Sequence, residues 1–291
     1  MLPARAGRIA LFSAAVICFS LVQAATADPK EAPSKESDSQ KSRDNEESEE
    51  TLRLIEAELP NWKLWKGRGH ASELQLEPKP VLRWTNPGTG RLYGDVFVWT
   101  QNGRPEVVMS LYKAFKPAWG FTAEMHSLSL AGVEAQRDGA VVWQPPKAGV
   151  AFRDVPDSPK PAETTVRRLQ QMRTLAGGFS AAMTDYRRNE TGERQSLRLL
   201  PQPIYRYKST NPELLDGAMF AIVLGTDPEV FLLLEARGST DEWRWQYALA
   251  RMNNDAVAVL HKDVEVWRVD RAKFEDRFHE PYILIGLPES R

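Results

Sequence analysis

The chain has 291 residues, 42% of them apolar, and a formal charge of −1. That is enough for one large or two modest cores, and the near-neutral balance argues against a strongly electrostatic partner such as nucleic acid. Its one cysteine, Cys18, lies near the N-terminus, so neither a disulfide framework nor thiolate chemistry is available to the residues after it.

Arg5 and Arg8 precede an apolar run, Ile9 to Val22, and Ala25-Thr26-Ala27 supplies small residues where a signal peptidase reads. Residues 1–27 are expected to be a secretory signal, which places the mature protein in the periplasm or the medium. The run is too short for a confident membrane span, so no transmembrane segment is expected in the mature chain. Residues 28–50 hold nine acids and four bases and nothing more apolar than Ala32. This composition predicts a disordered, polar linker, because it cannot bury enough surface to offset its ordering entropy.

The segment from Leu74 to Tyr112 recurs without a gap 123 residues later, from Leu197 to Glu235, with 12 identities in 39 positions. Pro78, Arg83, Gly94, Phe97 and Pro105-Glu106-Val107 fall on Pro201, Arg206, Gly217, Phe220 and Pro228-Glu229-Val230. The expected organisation is therefore two repeats, 51–158 and 159–291. Leu52, Ile55 and Leu59 form an amphipathic stripe that Pro60 ends. Val166, Leu169, Met172, Leu175, Phe179, Ala182 and Met183 form a longer stripe, weakened internally by Gly177-Gly178.

Strands are expected over residues 74–84, 96–100, 106–112, 121–130 and 140–143, and again over 197–207, 219–224, 229–235, 243–251 and 257–269. Asn102-Gly103 marks a hairpin, because both residues accept positive φ; Gly225-Thr226-Asp227-Pro228 is its turn-prone counterpart. The expected fold class is α+β: a tandem duplication of a helix followed by a five-stranded antiparallel meander, a curved sheet on a helix that is cystatin-like or similar in architecture. The two copies are either separate or fused into one sheet.

Residues kept in both copies suit the common scaffold. Arg83 and Arg206, each before an aromatic, read as scaffold cations; Glu106 and Glu229 as turn exits that are exposed or bonded to backbone; Trp143 and Trp267 as core. Differences between copies point to sites. Aligning residues 126–129 with 247–250 sets Thr122, Glu124 and His126 against Trp243, Trp245 and Tyr247, each trio on one strand face. The three aromatics form either a stacking platform for sugar rings or apolar groups, or part of the sheet-helix interface. Glu124 and His126 supply a carboxylate and an imidazole, but no nucleophile or oxyanion device accompanies them.

His70, His261 and His279 lack metal-site spacing, so no metal is expected, and no phosphate-binding or dinucleotide fingerprint implies a cofactor. Asn189-Glu190-Thr191 matches a glycosylation acceptor.

The export signal, polar spacer and Pro-Glu-Val hairpins resemble those of secreted bacterial proteins of uncharacterised activity, a resemblance that implies export and no reaction. The reading drawn from all this is a non-catalytic exported binding or interaction protein, with polysaccharide, peptide or an envelope protein as candidate partners. A hydrolase-like enzyme with a dispersed site and an envelope assembly factor are the alternatives.

Overall fold

A computed structural model describes residues 35–70, 72–86, 90–116, 118, 120–186, 192–239, 242–273 and 275–289, with side chains from residue 40 onward. The expected signal, the start of the linker and the Asn189-Glu190-Thr191 triplet lie outside them. Residues 41–291 form one unit by chain contacts, distinct from residues 1–40.

The first half runs α1 (Lys35–Glu58), β1 (Trp62–Lys66), β2 (Ser72–Glu73), β3 (Gln75–Leu76), β4 (Leu82–Thr85), β5 (Arg91–Gln101), β6 (Arg104–Lys116), β7 (Gly120–Ser127), β8 (Val133–Arg137) and β9 (Ala140–Trp143). A connection carries β10 (Arg153–Asp154). The second half runs α2 (Thr165–Ala176), β11 (Phe179–Asp185), β12 (Glu193–Leu199), β13 (Tyr205–Tyr207), β14 (Leu214–Leu224), β15 (Asp227–Arg237), β16 (Arg244–Arg251), β17 (Ala256–His261) and β18 (Val264–Val269), and β19 (Tyr282–Leu287) closes the chain.

The protein is mostly β, with several antiparallel sheets that include a curled half-barrel, so the helix-plus-meander α+β fold is overturned. A strand hidden in the second helical stripe accounts for part of the difference: Phe179, Ala182 and Met183 lie on β11, and Trp62 and Trp65, beyond the end of the first stripe, lie on β1. Gly177 and Gly178 end α2 instead of weakening it, their amides bonding back to Arg173 O and Leu175 O. Residues 257–269 are two strands, split at Lys262-Asp263, where both φ are positive.

Residues 35–50, within the span read as a linker, are helical, as the first part of α1. Glu47 meets Arg91 at 3.1 Å, Glu50 meets Lys113 at 2.7 Å, Tyr93 donates to Asp44 and Arg137 grips Glu58. An acidic helix face thus meets cations presented by the sheets, a form of docking that an apolar stripe does not announce.

Three buried clusters separate four layers. The central one joins Val96, Val98, Val108 and Leu128 of the first half to Met219, Ala221, Phe231 and Met252 of the second. The outer clusters bury Ile55, Trp62 and Trp143 on one side and Met172, Phe179 and Trp245 on the other.

Pairing registers coincide at the 123-residue spacing. Trp84 lies opposite Gly94 and Tyr207 opposite Gly217. A Cβ at Gly94 would come within 2.7 Å of the Trp84 ring, and one at Gly217 within 2.3 Å of Tyr207, so each glycine admits the aromatic laid across it. Arg83 grips Asp95 in two hydrogen bonds and Arg206 grips Asp216. Glu106 and Glu229 are not exposed turn exits but buried extra residues of matching β-bulges, after Trp99 in one register and Ile222 in the other. Their carbonyls accept from Leu128 N and Met252 N, which ties the next strand to the bulge.

The halves also clasp each other reciprocally. Asn102 O accepts from Thr210 N at one hairpin tip, and Thr226 bonds both the amide and the carbonyl of Thr85 at the other. Between them Arg104 reaches Glu235 at 2.9 Å, and Glu235, fully buried, also accepts from Tyr207 and Arg237. Removing one partner of such a network strands the others' charge in low dielectric. Urea unfolding of Glu235→Ala is expected to show a loss of about 3–5 kcal/mol; a loss below about 1 kcal/mol would mean that the network is solvated and does not hold the halves together.

Candidate functional site: a cleft in front of Trp267

The β16 register corrects the alignment on which the site expectation rests. Val108 faces His126 across β6 and β7, and its equivalent Phe231 faces Ala250 across β15 and β16. Glu124 and His126 therefore correspond to Ala248 and Ala250, while Trp245 corresponds to Phe121. The expected alignment is off by three residues, and an odd slip exchanges the two faces of a strand.

The five expected site residues consequently do not form one site. Trp245 is fully buried in an outer core, its indole N–H without a partner among the described residues. Trp243 is half-buried and lines a separate depression with Asp154 and Lys160. Tyr247 is buried against Phe179, at 5.0 Å between ring centroids, yet reaches the main cleft. Glu124 and His126 share the inner face of β7 but have different partners: Glu124 accepts from Tyr282 OH, and His126 Nδ1 lies 2.8 Å from Ser127 O. His126 reaches the main cleft; Glu124 sits behind Tyr282. Of the histidines read as isolated, His70 stacks on Trp65 and meets Glu134 at 2.8 Å, and His261 packs on Phe179. No cluster suited to a metal occurs among the described residues.

The cleft arises from how each half's sheet edge is covered. β19 crosses from the second half to pair with β7 from Phe121 to His126, while β10 crosses the other way and pairs with β16 only at Gln246 and Tyr247. Matching registers make Trp143 and Trp267 equivalent, one facing Ala135 and the other Val259. The approach to β19 covers Trp143 completely: the indole donates to Glu280 O at 2.8 Å, Gln144 N to Phe278 O and Ser127 N to Pro281 O.

The approach to β10 does not do this for Trp267. Gly149 N donates to Ser129 O on the first half, and the segment first meets β16 at Arg153. Length explains the difference. Asp154 and Gly286 hold equivalent pairing places, yet one follows its tryptophan by eleven residues and the other by nineteen. The shorter connection cannot pass over β18 and still reach β16.

A cleft of about 750 Å³ remains in front of Trp267, which packs against the outer core of the second half but is only half-buried. Val266, Val269, Leu249, Tyr247 and Pro281 supply apolar wall, and Arg153, Arg271, Lys273, Asp270 and Glu280 a polar rim of mixed sign. Its volume falls in the range of small-molecule and peptide pockets.

Arg251, His126 and Tyr282 meet at the floor. The Arg251 guanidinium lies over the Tyr282 ring at 5.1 Å and donates to the carbonyls of Asn253, Asp255 and Asp270. Burial, followed by Glu124, pushes the Tyr282 hydroxyl well above its ordinary pKa, so it stays a donor. Burial, and then Arg251, lowers His126 to about 4 against the backbone bond that raises it, so the imidazole is neutral near pH 7.

Comparison of the chain with family models, curated proteins and solved structures returned no match.

Sequence reasoning missed Trp267, Leu249, Arg251 and Tyr282. The available signal was the contrast between the two connections, Pro-Lys-Ala-Gly-Val-Ala-Phe before β10 and Phe-His-Glu-Pro-Tyr-Ile-Leu at the start of β19. Only the second reads as a cover followed by a strand.

His126 gives the floor a defined pH response. Its folded pKa lies below the unfolded value of about 6.5, so the unfolded chain takes up the proton first. The stability this neutral histidine contributes is complete above pH ~6.5 and falls by on the order of 3 kcal/mol as pH drops to about 4. Unfolding measured across that interval should show the decline in the parent chain and a flatter profile in His126→Gln; equal slopes would contradict the assignment.

Proposed function

We propose that this chain is a non-catalytic exported binding protein, formed by duplication of one unit, whose ligand enters the cleft and lies on Trp267. The observation that carries this reading is the different fate of two equivalent tryptophans. Trp143 is sealed by the chain's own segment, whereas Trp267 faces open volume among apolar walls. An aromatic left half-buried in a concave apolar surface is a common anchor for recognition, because it offers large area at low conformational cost.

The floor supports binding over bond-making. Arg251 is committed to three carbonyls, His126 to Ser127 O and Tyr282 to Glu124. These groups shape the cleft, and the walls present the free surface. Export rests on the N-terminal pattern of Arg5, Arg8 and the apolar run after them. No helix among the described residues is long and apolar enough to cross a membrane.

The reading is tested with the dye anilinonaphthalene sulfonate, whose rings suit the walls and whose anion suits Arg153, Arg271 and Lys273. One dye molecule is expected to bind per chain, with affinity about tenfold weaker in Trp267→Ala and unchanged in Trp243→Ala. Equal affinity of Trp267→Ala and the parent would remove the cleft as the binding site.

A further inference from the structure

We propose that the occupant of the cleft is an extended peptide segment of another protein, which lies beside β16 and covers Trp267 as residues 278–282 cover Trp143. This deepens the reading of the cleft as a binding site and rests on it. The protein carries its own template for the occupied state. In the first half three donors converge on one segment, which turns through His279 N to Asp276 O and then leads into β19: the Trp143 indole bonds Glu280 O, Gln144 N bonds Phe278 O and Ser127 N bonds Pro281 O. The equivalent donors in the second half are the Trp267 indole, Arg268 N and Arg251 N.

Among the described residues no segment takes the corresponding places. β16 has a pairing partner on its outer side only at Gln246 and Tyr247. Trp245 O already accepts from Val155 N on that side, so strand alternation aims the Leu249 and Arg251 amides at the same edge, where it borders the cleft. The slot therefore continues an edge that β10 has begun to pair. Adding a strand to such an edge draws affinity from main-chain hydrogen bonds and selectivity from side-chain pockets.

The chemistry of the guest follows from what lines the slot. Main-chain carbonyls must face Trp267 and Arg251. One side chain must lie among Leu249, Val266 and Val269, an apolar place. Val266 O already accepts from Arg153 across the cleft at 3.0 Å, so part of the β18 edge is closed and the guest is read chiefly from β16. A proline near the start is acceptable, because Pro281 holds the corresponding place in the template and only its carbonyl is used.

The test uses the full chain and a synthetic peptide with the sequence of residues 276–283, Asp-Arg-Phe-His-Glu-Pro-Tyr-Ile, capped at both ends. Titration followed by NMR is expected to move the Trp267 indole N–H signal and to slow exchange of the Arg251 amide, while the Trp143 indole signal stays in place. Trp267→Phe, which keeps an aromatic ring but loses the donor, is expected to bind the peptide about tenfold more weakly and to bind anilinonaphthalene sulfonate as the parent does.

If the dye binds and the peptide does not, the cleft stands and the peptide inference fails. If neither binds, the reading of the cleft itself fails. Movement of the Trp143 signal instead would mean that the peptide replaces β19 and would overturn the proposal. Self-association that the peptide disperses would make the occupant a second copy and would overturn it as well.

Discussion

An antiparallel sheet cannot leave a long edge open without inviting another strand, and this protein covers its edges by exchange. Each half ends in a connection that crosses to the other half and adds a strand there, β10 to β16 and β19 to β7. The hairpin clasps and the buried Arg104–Glu235 contact follow the same reciprocal plan. Neither half is complete alone, since the cover of one sheet is encoded at the end of the other. The central core is correspondingly shared, with valines of the first half packed against the methionines and phenylalanine of the second.

Reciprocity is incomplete, and the incompleteness makes the site. The longer connection spans β9, seals Trp143 and pairs along β7; the shorter one gives up the tryptophan and pairs at two residues. What differs is length and composition in a linker, while the sheets keep their register. Binding surfaces arise readily this way, because loops tolerate change that packed strands do not. Arg251 then shapes the floor by ordering the turn and the connection that leave β16 and β18 through their carbonyls.

Much of the scaffold was legible because its signals are local. Asn102-Gly103 and the Pro-Glu-Val segments marked the two long hairpins, and the unbroken spacing of 123 residues carried the pairing of β4, β5 and β6 onto that of β13, β14 and β15. Legibility failed where contacts are distant. β1 and β11 are short, and their apolar residues also fit a helical stripe, so only pairing with β8 and β17 decides them. The acidic first part of α1 reads as solvated until Arg91 and Lys113 are folded beneath it. One residue is gained between β15 and β16 relative to β6 and β7, whereas matching His126-Ser127-Leu128-Ser129 to Tyr247-Ala248-Leu249-Ala250 by residue type removes two, so the aromatic trio of β16 falls opposite the wrong residues. The site itself was illegible, because it depends on what a linker fails to reach.

The most direct measurement of this account is hydrogen exchange at the two equivalent indoles, Trp143 and Trp267, by NMR on the unliganded full chain. The account predicts that the Trp143 N–H, bonded to Glu280 O beneath the C-terminal connection, exchanges only when the protein opens, whereas the Trp267 N–H exchanges at close to the free rate. Equal and strong protection of both would contradict it, because a covered Trp267 leaves no open cleft and no unequal exchange between the halves.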